Sequence, residues 1–284
     1  MNEILYHYCT IDTFLNIIKN NKIWLSDIKK LNDKEECLTC INNVNNKMKK
    51  YLATNQELLE SWERGFELGK IVNSSSITFA TCFSGSENLL SQWYRYADNG
   101  KGVAIGFDRK ILEKLNEIHK YYIRFEKVSY KNNDKYIKSI VEDNIKKLNY
   151  KGAFHVAFEL IQNYRLQHPF VKNVGFKEED EWRVVLCSNI QSDNRTYCFP
   201  QSKEFQFSKI KYRSTNDKLI PYVEMNFEMV KQSIIKKIWI GPRSEMEAAD
   251  IFNLMYFCGY YDNLSKGCNE QEPIEIIKSK TPYR

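Results

Sequence analysis

One stretch constrains the fold more than any other: Phe176-Lys177-Glu178-Glu179-Asp180-Glu181-Trp182-Arg183-Val184-Val185-Leu186, an acidic cluster that runs straight into an alternating segment. Trp182, Val184 and Leu186 share one side, and Glu181, Arg183 and Val185 the other. A period of two commits the segment to a sheet. It also puts Glu181 and Arg183 on one face, two residues apart, on rigid backbone. Rigid placement is what a catalytic or ligand-gripping group needs. The plainer reading is a solvated acidic turn ahead of a core strand.

The chain before it opens on a compact strand, helix, strand unit. Ile4–Tyr8 is short, apolar and aromatic. Thr10 caps a helix with Ile11, Phe14, Leu15 and Ile18 at i, i+3, i+4, i+7, and Asn20-Asn21 ends it. Lys22–Ser26 is a second strand. Polar Leu31–Glu36 leads into helices with Cys37, Cys40, Ile41, Val44 and Met48, then Leu58, Leu59, Trp62 and Phe66. Ile77–Phe83 reads as a buried strand. Leu89–Ala97 is helical, Asp98–Gly102 is a tight hairpin turn, and Val103–Phe107 is a strand. Asp108 caps another helix, and residues 121–130 look like strand. Helices follow over roughly 134–149 and 151–167, the second closed by His168-Pro169.

Beyond Leu186, strands are expected near Thr196–Phe199, Phe205–Tyr212, Leu219–Phe227, Ile235–Ile240 and Ile274–Ile277, with a helix over Glu245–Phe257. Pro221 marks Leu219–Phe227 as an edge strand. Strands and helices mix without regular alternation. The expected fold is α+β: a mixed, largely antiparallel sheet core with peripheral helices. The chain reads as a single domain, 1–284, with helical insertions at about 34–72 and 134–168.

Composition bounds the function. The 284 residues are 43% hydrophobic, enough for a large core, and 18 Tyr and 16 Phe supply material for stacking sites. A net charge of +6 allows an anionic partner without demanding one. The N-terminus carries no signal-peptide pattern, and no apolar run approaches a membrane span. The eight cysteines are scattered, so a reduced, cytoplasmic setting is expected.

Few chemistry-bearing motifs stand out. Cys37 and Cys40 form an isolated C-x-x-C with no second pair at zinc spacing, and read as core thiols; no metal is expected. Gly100, Gly102 and Gly106 precede a strand instead of opening a helix, so they are not a dinucleotide fingerprint. His119 and His155 sit on helix faces, and His168 precedes proline. His7 and Tyr8 lie on opposite faces of the first strand. Ser84 and Ser86 follow the Ile77 strand, where small hydroxyl residues can bind a sugar or phosphate. Tyr94-Arg95-Tyr96 and Lys209-Ile210-Lys211-Tyr212-Arg213 combine charge with rings, which would suit a nucleotide base or single-stranded nucleic acid.

The pattern resembles a widespread bacterial family built on a domain of unknown function. Its motifs run in order along the chain: Leu5-Tyr6-His7-Tyr8-Cys9-Thr10, Asn32-Asp33 with Glu36, Cys82-Phe83-Ser84, Trp93-Tyr94-Arg95-Tyr96-Ala97 through Gly102, Glu181-Trp182-Arg183, Ile220-Pro221-Tyr222, Ile240-Gly241-Pro242 and Pro282-Tyr283-Arg284. Cys9 is inserted before Thr10, and Lys34 stands where the family has proline. A weaker resemblance is to mono-ADP-ribosyltransferases: His on a first strand, Ser or Tyr on a second, Glu opening a late one. It implies NAD as the cofactor, with His7, Ser26, Glu181 and Glu179 catalytic and with His7, Tyr8, Ser84, Arg183 and Trp93 binding the nucleotide. In that arrangement Glu181 holds the ribose and stabilises an oxocarbenium-like state, and Glu179 activates the acceptor.

Three readings follow. The first is an NAD-dependent ADP-ribosyltransferase-like enzyme, a toxin or phage-defence effector modifying nucleic acid or protein, working with a partner or as an oligomer and without a membrane. The second is a non-catalytic ligand-binding or sensor module in which Asn32, Asp33, Glu36, Glu181 and Arg183 form a buried polar network. The third is a metal-dependent nuclease using Asp33, Glu36, Glu179 and Glu181.

Overall fold

The computed structural model describes residues 3–30, 34–74, 76–119, 122–188, 199–215, 218–261 and 273–282. In chain order the elements are β1 (Ile4–Cys9), α1 (Ile11–Asn20), β2 (Lys22–Asp27), α2 (Lys34–Leu52), α3 (Gln56–Ser74), β3 (Thr78–Ser84), α4 (Leu90–Tyr96), β4 (Val103–Asp108), α5 (Arg109–Glu113), α6 (Leu115–Ile118), β5 (Ile123–Lys127), β6 (Ser129–Lys131), α7 (Asn133–Leu148), α8 (Ala153–Gln167), β7 (Val171–Asn173), β8 (Glu181–Cys187), β9 (Gln206–Phe207), β10 (Lys211–Thr215), β11 (Lys218–Asn226), α9 (Lys231–Ile234), β12 (Ile235–Ile240), α10 (Ala248–Phe257) and β13 (Glu275–Lys278). This is an α+β fold around a mixed, largely antiparallel sheet.

The opening unit forms as its residues dictate. The Thr10 hydroxyl accepts from the Thr13 N–H, and Asn21 closes α1 in the left-handed region (φ 53°). Phe14, Ile17 and Ile18 then pack onto Leu5, Cys9, Ile23 and Leu25. Across the sheet the same face carries Phe79, Phe83, Phe107, Val184 and Leu186, and these make the main core.

The sheet opens around the middle of β3. β8 pairs with β3 along its whole length, from Thr78↔Cys187 to Ser84↔Glu181. The other edge of β3 is shared. β2 pairs with it only at Phe79 and Ala80, and β1 only at Ser84. Thr81, Cys82 and Phe83 have no strand partner on that edge, so β1 and β2 part company over the middle of β3. The sheet is split there, with β4, β12 and β13 continuing from β1, and β11 and β10 from β2.

Two details differ from the sequence reading. β11 is an interior strand, paired with β10 and then β9 along one edge and with β2 along the other. Pro221 is tolerated because the ladder to β2 begins one residue later, at Tyr222↔Ser26, where no proline N–H is missed. Asp98–Gly100 is not a hairpin either. It joins α4 to β4 through consecutive positive-φ residues, Asp98, Asn99 and Gly100. The strand expected at Thr196–Phe199 lies mostly outside the described residues.

The two helical insertions meet. α2 and α3 pack on α7 and α8 around Val44, Met48, Trp62, Phe66, Val156 and Ala157, a second core separate from the sheet's. α3 and α8 approach so closely that a Cβ on Gly65 would lie 2.1 Å from the Phe154 carbonyl oxygen. The β6–α7–α8–β7 insertion is tied at its base, where β6 and β7 pair in parallel and set Tyr130 opposite Lys172. That base stands beside the start of β8. Among the described residues, no helix is long and apolar enough to cross a membrane.

Candidate functional site

The split between β1 and β2 holds a cavity of about 280 Å³, near the lower end of the usual range for small-molecule sites. Its walls carry His7, Ile17 and Ile23 from the core face of the sheet, and Trp24, Ser26 and Arg213 from the opposite face. Side chains of both faces can share one cavity only where the strands have separated. A smaller cavity of about 80 Å³ adjoins it, and reaches Tyr8, Ser84, Glu179 and Glu181. The two share His7, Cys82 and Tyr96 in their walls.

His7 stands on the β1 lip. Its Nδ1 donates to the Cys82 carbonyl oxygen at 2.9 Å, in the stretch of β3 that lacks a strand partner. That bond fixes the tautomer and leaves Nε2 an acceptor. Burial pushes the ring's pKa below its usual value, so it is neutral at pH 7. Ser26 stands on the β2 lip, and its hydroxyl accepts from the Arg213 guanidinium at 3.2 Å. Tyr96 leans over both cavities from α4. Burial and the nearby Glu179 carboxylate push its hydroxyl up to about 12, so it is a proton donor at any ordinary pH.

Glu181 and Glu179 are set differently. Glu181 and Arg183 share a strand face, and the pair is bidentate: Nε to Oε1 at 2.7 Å, Nη2 to Oε2 at 3.0 Å. Lys172 from β7 bridges Glu181 at 3.1 Å and Glu179 at 2.7 Å. Arg95 from α4 completes the chain on Glu179 at 2.8 Å. Except for Arg95, these side chains are almost wholly buried. Burial alone would raise the Glu181 pKa, but Arg183 and then Lys172 hold it down at about 2. Glu181 is therefore ionised at every working pH, and its charge is shared between two cations.

Backbone bonds brace this network. The Glu181 N–H donates to the Tyr130 hydroxyl at 2.7 Å, and the Ser84 hydroxyl donates to the Glu179 carbonyl at 2.6 Å. Asp180 sits between them in the left-handed region (φ 43°) and pairs with Lys127. Its own carbonyl receives the Gly85 N–H, and a Cβ on Gly85 would fall 2.1 Å from the Asp180 carboxylate.

The structure thus brings together His7, Ser26, Tyr8, Ser84, Glu179 and Glu181 around two adjoining cavities. It does not place Trp93 or Arg183 there. Trp93 is fully buried against Tyr8 and Ala104, with its indole N–H on Asn88. Arg183 is turned to Glu181 and the Pro169 carbonyl, so it grips its own chain instead of a phosphate. The Ser84 hydroxyl is likewise spent on backbone, and the Tyr8 hydroxyl bonds the Ser86 carbonyl and the Leu89 N–H. Asn32, Asp33 and the Glu36 side chain lie outside the described residues.

Sequence reasoning missed Lys172, Tyr96 as a wall of both cavities, and Trp24 and Arg213. Arg213 and Tyr96 belong to the ring-and-charge patches noted in the sequence. Lys172 carries no local signal, because its role depends on the β6–β7 ladder.

Residues 92–184, about a third of the chain, match a family described as protein of unknown function (DUF2971). This is the unknown-function family that the sequence motifs resemble, and the matched segment runs from α4 to the middle of β8. Neither a curated protein nor a solved structure matches the chain.

Proposed function

We propose that the split in the sheet takes an NAD-like nucleotide and that the chain is an ADP-ribosyltransferase-like enzyme. One observation carries this reading. His7 and Ser26 stand on the two lips of one cavity, and an ionised Glu181 lies in the adjoining one behind His7, Cys82 and Tyr96. On this reading the His7 Nε2 accepts from a ribose hydroxyl, and Ser26 orients the ligand from the other lip. The C–N bond between the ribose and nicotinamide breaks with its electron pair on the departing ring. The cationic ribose is stabilised by the Glu181 carboxylate, and an acceptor's lone pair forms the new bond at the same carbon. The acceptor's proton goes to a base, for which Glu179 is the second carboxylate lining the smaller cavity with Glu181. Nucleic acid or protein fits the acceptor role, and a toxin or phage-defence effector fits the activity.

A second reading is favoured by a specific observation: Glu179 and Glu181 are both fully paired with cations. In it the network only holds the fold, and the cleft binds a ligand without turnover. The same pairing weighs against the nuclease reading, because a divalent cation beside Lys172, Arg183 and Arg95 would meet net positive charge.

The two remaining readings separate on turnover. Incubation with nicotinamide-labelled NAD and a mixture of protein and nucleic acid acceptors should release nicotinamide. Release should fall at least about a hundredfold in Glu181→Asp, which keeps the charge but withdraws the carboxylate. Binding of NAD without any release would favour the non-catalytic module. Neither binding nor release would overturn both.

A further inference from the structure

Among the described residues, the Arg213 side chain of the cleft has no acidic partner. On the face of the sheet opposite the main core, Lys22 and Lys211 share the Glu224 carboxylate at 3.1 and 2.9 Å. Arg213, two residues further along β10 on the same side, has no carboxylate partner among the described residues. Its guanidinium donates to the Ser26 hydroxyl and lies 5.4 Å over the Trp24 ring. Its Nε is buried and has no hydrogen-bond partner. A buried charged donor left without an acceptor is costly, and native structures rarely keep one without a use.

The surroundings say what acceptor fits. Among the described residues, no acidic side chain lines the large cavity, while Arg213 and Lys22 both do. Trp24 offers an aromatic surface, 4.7 Å from the Tyr222 ring, and is more than a third exposed. A planar guanidinium held on an aromatic ring presents a rigid fork of donors, the geometry that suits a phosphate oxygen pair and that lysine cannot reproduce.

We propose that Arg213, stacked on Trp24 and tied to Ser26, grips the phosphate of a nucleoside diphosphate moiety in the large cavity. This rests on the nucleotide reading of the cleft. It assigns the phosphate end to β10 and β2, and leaves the ribose end at His7 and Glu181.

Calorimetry with ADP, pyrophosphate and adenosine tests it on the intact chain. ADP and pyrophosphate should bind, and adenosine should bind at least about tenfold more weakly than ADP. Arg213→Gln should weaken ADP and pyrophosphate at least about tenfold and leave adenosine unchanged. Arg213→Lys should fall between, since charge survives and the fork does not. Circular dichroism on both variants checks the fold, and Arg213 sits at a sheet edge where either replacement is accommodated. ADP affinity in Arg213→Gln within about twofold of the unaltered chain overturns the proposal, as does failure of the unaltered chain to bind ADP or pyrophosphate. Nicotinamide release is read separately. Arg213-dependent ADP binding without release sinks the enzyme and keeps the grip. Release with equal KM in Arg213→Gln does the reverse.

Discussion

Two regions a few residues apart in the sheet hold charge in opposite ways. Around β8, Glu179 and Glu181 meet Lys172, Arg183 and Arg95, and every carboxylate oxygen has a cation. In the split between β1 and β2, His7 is neutral, the Ser26 hydroxyl accepts from Arg213 at 3.2 Å, and Arg213 has no anion among the described residues. The first region is complete without a ligand, and the second is not. A fold needs regions of the first kind, and binding needs regions of the second, because only unspent donors and acceptors gain a partner when a ligand arrives.

The contrast breaks most visibly at Glu181. Glu181→Gln leaves Arg183 and Lys172 buried without their shared anion, and should destabilise the fold by about 3–5 kcal/mol in denaturant unfolding. Lys172→Met should cost less, about 2–3 kcal/mol, since Glu181 keeps Arg183 and Glu179 keeps Arg95. Stability unchanged from the unaltered chain in both variants would mean that the network contributes nothing.

Acid sharpens the same point. Glu181 has its pKa lowered from 4.5 to about 2 on folding. A depressed carboxylate contributes stability that is fully present above 4.5 and lost as pH falls toward 2, on the order of 3 kcal/mol. His7 has the same sign in another window. Its pKa is pushed below 6.5, so the unfolded chain takes up a proton that the folded chain refuses, and stability falls as pH drops below 6.5. His7→Gln should flatten the upper part of a stability-against-pH curve and leave the lower part, between 4.5 and 2, in place.

The smallest stability effect belongs to the cleft lip. Ser26→Ala removes one contact of 3.2 Å and should cost less than about 1 kcal/mol. It should nevertheless weaken nucleotide binding, because Arg213 then loses the acceptor that orients it. A stability loss as large as that of Lys172→Met would place Ser26 with the structural network.

Much of the frame could be read from local chemistry. Thr10 and Asn21 bound α1, Asp108 caps α5, and the alternation in Glu181–Leu186 set the two faces of β8 as observed. What escaped depends on contacts between distant segments. Trp93 shared a motif with Tyr96, yet one helical turn separates core from cleft, and spacing alone did not say which was which. Arg183 offered a phosphate grip until its own strand neighbour Glu181 was seen to occupy it. Lys172 became visible only once β6 and β7 closed the base of an insertion. Pro221 was read as an edge because proline lacks an N–H, but the ladder to β2 starts just past it.

A crystal structure with a carbocyclic NAD analogue, whose ring–nicotinamide bond cannot be cleaved, tests the account most directly. The ribose analogue should lie between His7 and Ser26, within hydrogen-bond reach of the His7 Nε2, with the diphosphate on Arg213 and the network around Glu181 unmoved. An analogue bound elsewhere, or a cleft empty at saturating concentration, would contradict it.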